Sequence, residues 1–145
     1  MNPRGDPAKL RLGENHRRAL TVLLAGLEEM CDEMESWMER PPGVLLQVED
    51  KLRPAQQEKL RALAARLREQ LARVGGEVQL DGVVQSPRRS VLALLSAHII
   101  YLEEAEASGF KGYGPLPEDA RRRITAELRR LRGILEEMQS AARRA

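Results

Sequence analysis

Between Glu14 and Arg40 the apolar residues Leu20, Leu23, Leu27, Met30, Met34 and Trp37 recur at alternating intervals of three and four, the rhythm of one face of an α-helix. Leu24, Cys31 and Met38 widen that stripe, as a bundle helix requires. Pro41, Pro42 and Gly43 then stop it, because proline cannot continue a helix. A second stripe, Leu60, Leu63, Leu67, Leu71 and Val74, follows Pro54, a residue suited to a first helical turn. Gly75 and Gly76 are its expected stop.

A third segment differs from both. Ser86 and Pro87 supply an N-cap and first-turn pair, and Ser90 to Leu102, SVLALLSAHIIYL, contains no charged residue. A helix apolar on every side has no face for water, so this one is expected to be enclosed by other helices or by another subunit. It fades near Ser108 and Gly109. The fourth helix opens on Pro117, Glu118 and Asp119 and carries Ile124, Leu128, Leu131, Leu135, Met138 and Ala142 to its end. Val44 to Leu52 reads as a short helix or an extended connector, and Glu77 to Gln85 as a crossing loop with a turn at Asp81 and Gly82.

Four helices and three connections predict an all-α fold, an antiparallel up-down four-helix bundle. It is expected to form one domain over residues 14–145, preceded by a loose N-terminal arm over 1–13 that holds two prolines and two glycines. A three-helix core that exchanges one helix between subunits satisfies the same pattern.

Composition narrows the chemistry. The chain has 145 residues, enough for a core without disulfides or metal. Aromatic residues make up only 3%, so the core must come from Leu, Ile, Val, Met and Ala, and no aromatic ladder exists on which single-stranded nucleic acid could stack. The lone cysteine, Cys31, excludes an internal disulfide and a cysteine-rich zinc site. No apolar leader precedes residue 14, and Ser90–Leu102 is shorter than the ~20 residues of a membrane span. A cytoplasmic protein with no membrane contact is the expectation.

Charge supplies a second pattern. The net charge is only +2, so its distribution matters more than its total. The first helix begins with Arg17 and Arg18 and becomes acidic, and the third begins with Arg88 and Arg89 and ends with Glu103, Glu104 and Glu106. Both layouts oppose the helix dipole. In an up-down bundle Arg121, Arg122 and Arg123 would neutralise the acidic ends. The opposite pole would gather Arg17, Arg18, Arg68, Arg73, Arg88, Arg89, Arg143 and Arg144. Of these, Arg17, Arg18, Arg88, Arg89, Arg143 and Arg144 are the candidates for holding a nucleic acid, another polyanion or an acidic partner.

Catalytic signatures are absent. The residues three before His16 and His98 are Gly13 and Leu95, so the Glu-x-x-His pairs of a di-iron bundle do not occur. No phosphate-binding loop, dinucleotide fingerprint, nucleophile elbow or His-Glu-x-x-His helix is present. Cys31 lies on the inward stripe of an acidic helix, a packed thiol rather than a nucleophile. Haem held by His98 with Met30, Met34, Met38 or Met138 fits a bundle geometrically, although methionines at helical spacing ordinarily fill cores.

Two features stand apart from the core pattern. His98 is the one ionisable residue in the central run and is expected there as a buried, neutral imidazole bonded to a helix neighbour. The loop GFKGYGPLP places Lys111 between Phe110 and Tyr113, either as a lid over one bundle end or as a partner-docking knob. The sequence thus predicts a non-enzymatic helical protein acting through protein partners, as a regulator, adaptor or assembly subunit, and as a homodimer. No cofactor is expected. Polyanion binding at the basic pole and ligand binding at His98 are the alternatives.

Overall fold

The four stripes become four helices in a computed structural model whose described residues are 12–144. They are α1 (Glu14–Met38), α2 (Pro54–Glu77), α3 (Pro87–Ser108) and α4 (Glu118–Arg143), with a 3-10 turn at Lys111–Tyr113. The fold is all-α, and no strand occurs among the described residues. The expected N-terminal arm lies, apart from Leu12 and Gly13, outside the described residues.

The chain divides into two compact units with the boundary between Val84 and Gln85, and each is an antiparallel helical hairpin. In the first, Arg17 near the start of α1 donates to the Gln79 carbonyl beyond α2. Glu39, just past α1, accepts from Arg61 in the first half of α2 at 3.2 Å. In the second, Glu106 near the end of α3 accepts from Arg132 at 2.9 Å, while Ser96 in mid-α3 accepts from Gln139 near the end of α4 at 2.8 Å. Rising numbers on one helix meet falling numbers on the other in both units.

Local chemistry sets the helix ends. Ser86 Oγ accepts from the Arg89 amide at 3.3 Å, a cap worth ~1 kcal/mol, with Pro87 in the first turn. Gly109 closes α3 in the left-handed region at φ 56, and an added Cβ there would lie 2.9 Å from Arg121 Nε. The end of α2 departs from expectation, because Gly75 and Gly76 lie inside the helix. The Leu80 amide reaches back to the Gly75 carbonyl at 2.9 Å and the Gln79 amide to Gly76, a Schellman closure. Its left-handed residue is Gln79, at φ 53. That conformation costs a non-glycine residue ~1–2 kcal/mol, and Arg17 anchors its carbonyl from across the hairpin. Val44 to Leu52 is the extended connector, with Val44 and Leu45 exposed.

Each hairpin closes on a narrow seam. In the first unit the inward positions are Leu24, Cys31 and Met38 on α1 and Leu60, Ala64, Leu67, Leu71 and Val74 on α2. Cys31 is fully buried. Leu23, Met30, Trp37 and Leu63, read from the pattern as core, are exposed instead. In the second unit Leu92, Leu95, Ile99 and Leu102 line the inner side of α3, and Leu128 and Leu135 that of α4. Within its hairpin Ser90–Leu102 is not enclosed: Ile99 is the one buried residue of α3, while Leu94 is 63% and Tyr101 61% exposed. Within the second unit α4 covers one face of α3, and α3 has apolar residues on two.

Charge is matched in part across each hairpin, though not by Arg121, Arg122 and Arg123. Glu106, its side chain only 10% exposed, is held by Arg132 at 2.9 Å and approached by Arg129 at 3.7 Å. Arg121 packs against Gly109 and Arg122 faces Glu118 at 4.0 Å. The return loop sets this register, bringing Glu106 level with the middle of α4 rather than its start. At the acidic half of α1 the counterions come from α2. Arg68 donates to Glu35 at 2.7 Å and to Asp32 at 2.8 Å, so it belongs to the seam and not to a basic pole.

The hydrogen bond from Arg68 is the main reason that the Glu35 carboxyl sits below its ordinary value, with the fields of Arg68 and Arg61 assisting and partial desolvation opposing. A carboxyl depressed in the folded state adds stability that is present above its unfolded pKa and is lost as pH falls through the folded value. The first unit should therefore loosen as pH drops below the ordinary value of 4.5. Arg68→Met should remove that part of the acid sensitivity while lowering stability at neutral pH. Thermal melts followed by Trp37 fluorescence between neutral pH and acid test this, and an unchanged acid slope in Arg68→Met would assign the sensitivity elsewhere.

Candidate functional site

The side of α3 that α4 leaves uncovered has the most unusual composition for an exposed surface. Val91, Leu94, His98 and Tyr101 are spaced three, four and three apart along it, which stacks them on one side of the helix. All four are exposed. The outward position of His98 corrects the expectation that it is a buried polar group. Its Nδ1 lies 2.8 Å from the Leu94 carbonyl, the helix-neighbour bond that the sequence suggested, so Nδ1 is the donor and Nε2 is left facing outward. Its ring meets Tyr101 edge-on, with centroids 5.5 Å apart at 78°, a favoured aromatic geometry.

Similar lines mark two other helices, α4 and α1. On α4, Ile124, Leu131 and Met138 repeat at intervals of seven and are all exposed. On α1, Leu23, Met30 and Trp37 do the same. A seven-residue repeat drifts by only ~20° per heptad on a straight helix, so the members of each set line up along one side of their helix. Each of these helices thus has exposed apolar residues beside its inner seam.

The turn after α3 is exposed as well. Gly109 and Phe110 are consecutive left-handed residues, with Phe110 at φ 60, a strained conformation for a bulky side chain. The strain turns Phe110 toward Tyr113, with ring centroids 6.4 Å apart. Tyr113 is 91% exposed, so the loop is not a lid that packs both rings onto a helix end. Lys111 is exposed between them.

The six candidate arginines are distributed between the units. Arg17 is bound to Gln79 and Arg18 pairs with Glu14 at 2.9 Å, so both are engaged locally. Arg88 and Arg89 begin α3, and Arg143 and Arg144 end α4. The antiparallel pairing places these four at the same end of the second unit. Arg88, Arg89, Glu103 and Glu104 have no ion-pair partner among the described residues.

An open cleft of about 830 Å³ lies in the first unit between the end of α1 and the 41–52 connector. Met34, Trp37, Met38, Leu46 and Leu52 form its apolar walls, and Arg40 stacks over the Trp37 ring at 4.1 Å. Glu39, Glu49, Asp50, Arg40 and Lys51 mix both signs at the rim, so the cleft favours neither anion nor cation. Among the described residues no three His, Cys, Asp or Glu side chains gather as a metal site, and no helix is long and apolar enough to cross a membrane.

The chain matches no protein-family model, no curated protein and no solved structure. Of the outer lines of α1, α3 and α4 the sequence singles out only His98 as a candidate site residue, although the signal of the others is present in it. Each helix has an apolar arc too wide for a single neighbouring helix.

Proposed function

We propose that this chain works through protein–protein contact, as a non-enzymatic helical regulator, adaptor or assembly subunit that associates with itself. The carrying observation is the second apolar seam on each hairpin: Leu23, Met30 and Trp37 in the first unit, and Leu94, Tyr101, Leu131 and Met138 in the second. Contiguous apolar strips on a soluble surface mark association sites. Burying one such strip would remove several Leu-sized side chains from water at roughly 1.5–3 kcal/mol each when burial is complete. The exposed pair Phe110 and Tyr113 adds an aromatic anchor of the kind that dominates interface energetics.

Sedimentation equilibrium at micromolar concentration tests the self-association. A species of twice the 16.3 kDa chain mass is the expected result, with dissociation on dilution. A monomer throughout would remove self-association and leave a different protein as the partner to be sought.

A further inference from the structure

Resting on that self-association reading, we infer that the partner surface of α3 is α3 of a second copy, lying antiparallel about a twofold axis level with Ser96. The outward line of α3 is symmetric about that residue. Leu94 and His98 lie two positions either side of it, and Val91 and Tyr101 five. Placing a second α3 antiparallel brings Leu94 opposite the second copy's His98, side chains of similar size, and Val91 opposite its Tyr101, small against large. A self-complementary patch is what a twofold interface requires.

Charge fixes the direction. Arg88 and Arg89 lie eight and seven positions before Ser96, and Glu104 and Glu103 lie eight and seven after it. Each end of α3 thus carries side chains of the same sign as its own dipole terminus. No ion pair among the described residues of the second unit relieves this. Arg143 and Arg144 add more positive charge at the start of α3, and Arg129 and Arg132 are directed to Glu106 rather than to Glu103 or Glu104. An antiparallel copy sets the positive end of one α3 beside the negative end of the other, twice per dimer. A parallel copy would place like charges together at both ends.

The outer line of α4 extends the same surface. With about 100° of rotation per residue, the exposed lines of α3 and α4 recede from their shared seam in the same rotational sense. In an antiparallel pair that puts them on one side of the hairpin. Ile124, Leu131 and Met138 therefore flank the α3 line, and two hairpins joined through this side make a four-helix core.

Charge exchange tests both the surface and the direction. Arg88→Glu with Arg89→Glu should raise the dimer dissociation constant about tenfold or more, since two like-charged poles then oppose each other. Glu103→Arg with Glu104→Arg should do the same, and combining all four substitutions in one chain should restore the wild-type constant. An equimolar mixture of the two double variants should form heterodimers more tightly than either associates with itself. All four residues are at the surface, and circular dichroism verifies that the helices persist. Loss of association without rescue by the quadruple variant would overturn the antiparallel register. A dimer unchanged in both double variants would overturn the α3 surface while leaving self-association standing. A monomeric wild type would remove both, and would mean that another segment of the chain or a different protein covers α3.

Discussion

Ile99→Ala is expected to destabilise the second unit by about 2–4 kcal/mol, among the larger costs for a single apolar truncation. Ile99 is 8% exposed and is the buried residue of α3. The rest of its seam is half-buried or polar, with Arg132 and Gln139 on α4 facing Glu106 and Ser96. The apolar part of this hairpin is thus small, and the cavity left by Ile99 cannot be filled by a partly polar seam without desolvating charges. Amide exchange in α3 and α4 should accelerate by about thirtyfold or more, as follows from a loss of about 2 kcal/mol at tenfold per 1.4 kcal/mol. Leu94→Ala, one of the most exposed substitutions on the same helix, should leave monomer exchange nearly unchanged. Equal effects at the two positions would show that α3 has no preferred inner face.

Helix existence was legible because its signals are local. Ser86 and Pro87 start α3, Pro41 to Gly43 bar the continuation of α1, and the acidic pair Glu118 and Asp119 opens α4. Rotation about the helix axis was not legible. Leu23 and Leu24, Met30 and Cys31, and Trp37 and Met38 are adjacent apolar pairs, and one residue turns a helix by about 100°. Either member of each pair satisfies the three-four rhythm, and only the partner helix decides. The uncharged run of α3 had the same ambiguity in stronger form, because apolarity on all sides carries no direction.

The charge layout was partly readable. That α1 and α3 oppose their own dipoles is visible from residue order, and the counterions it implies on other helices are present among the described residues for Asp32, Glu35, Glu39 and Glu106 but not for Glu103 and Glu104. Which arginines serve depends on hairpin register, which the length and curvature of the loop after Gly109 determine. Arg132 falls in the middle of α4 and nothing in the residue order marks it, whereas Arg121 to Arg123 cluster conspicuously at its start. His98 illustrates a different limit. Its bond to the Leu94 carbonyl is a property of the helix and could be foreseen, but its burial depended on how many neighbours α3 has.

Ala64→Leu should destabilise the first unit by about 1–3 kcal/mol, the usual cost of inserting methylenes into a closed seam, whereas Leu63→Ala should change it by less than about 0.5 kcal/mol. The hydrophobic pattern ranks these two positions the other way, because leucine marks a core and alanine reads as neutral. In the structure Ala64 is 3% exposed and Leu63 points outward. A small side chain at a seam position lets two helices approach, and interaxial distance follows the size of the residues at the crossing. A leucine at 64 would push α1 away where Arg68, one turn on, reaches Asp32 and Glu35, so the overpacking would also stretch that ion pair. Trp37, the chain's single tryptophan, lies in this unit and reports its urea midpoint by fluorescence. A lower midpoint for Ala64→Leu with little change for Leu63→Ala would place the seam at Ala64, and the reverse order would return it to the leucine stripe.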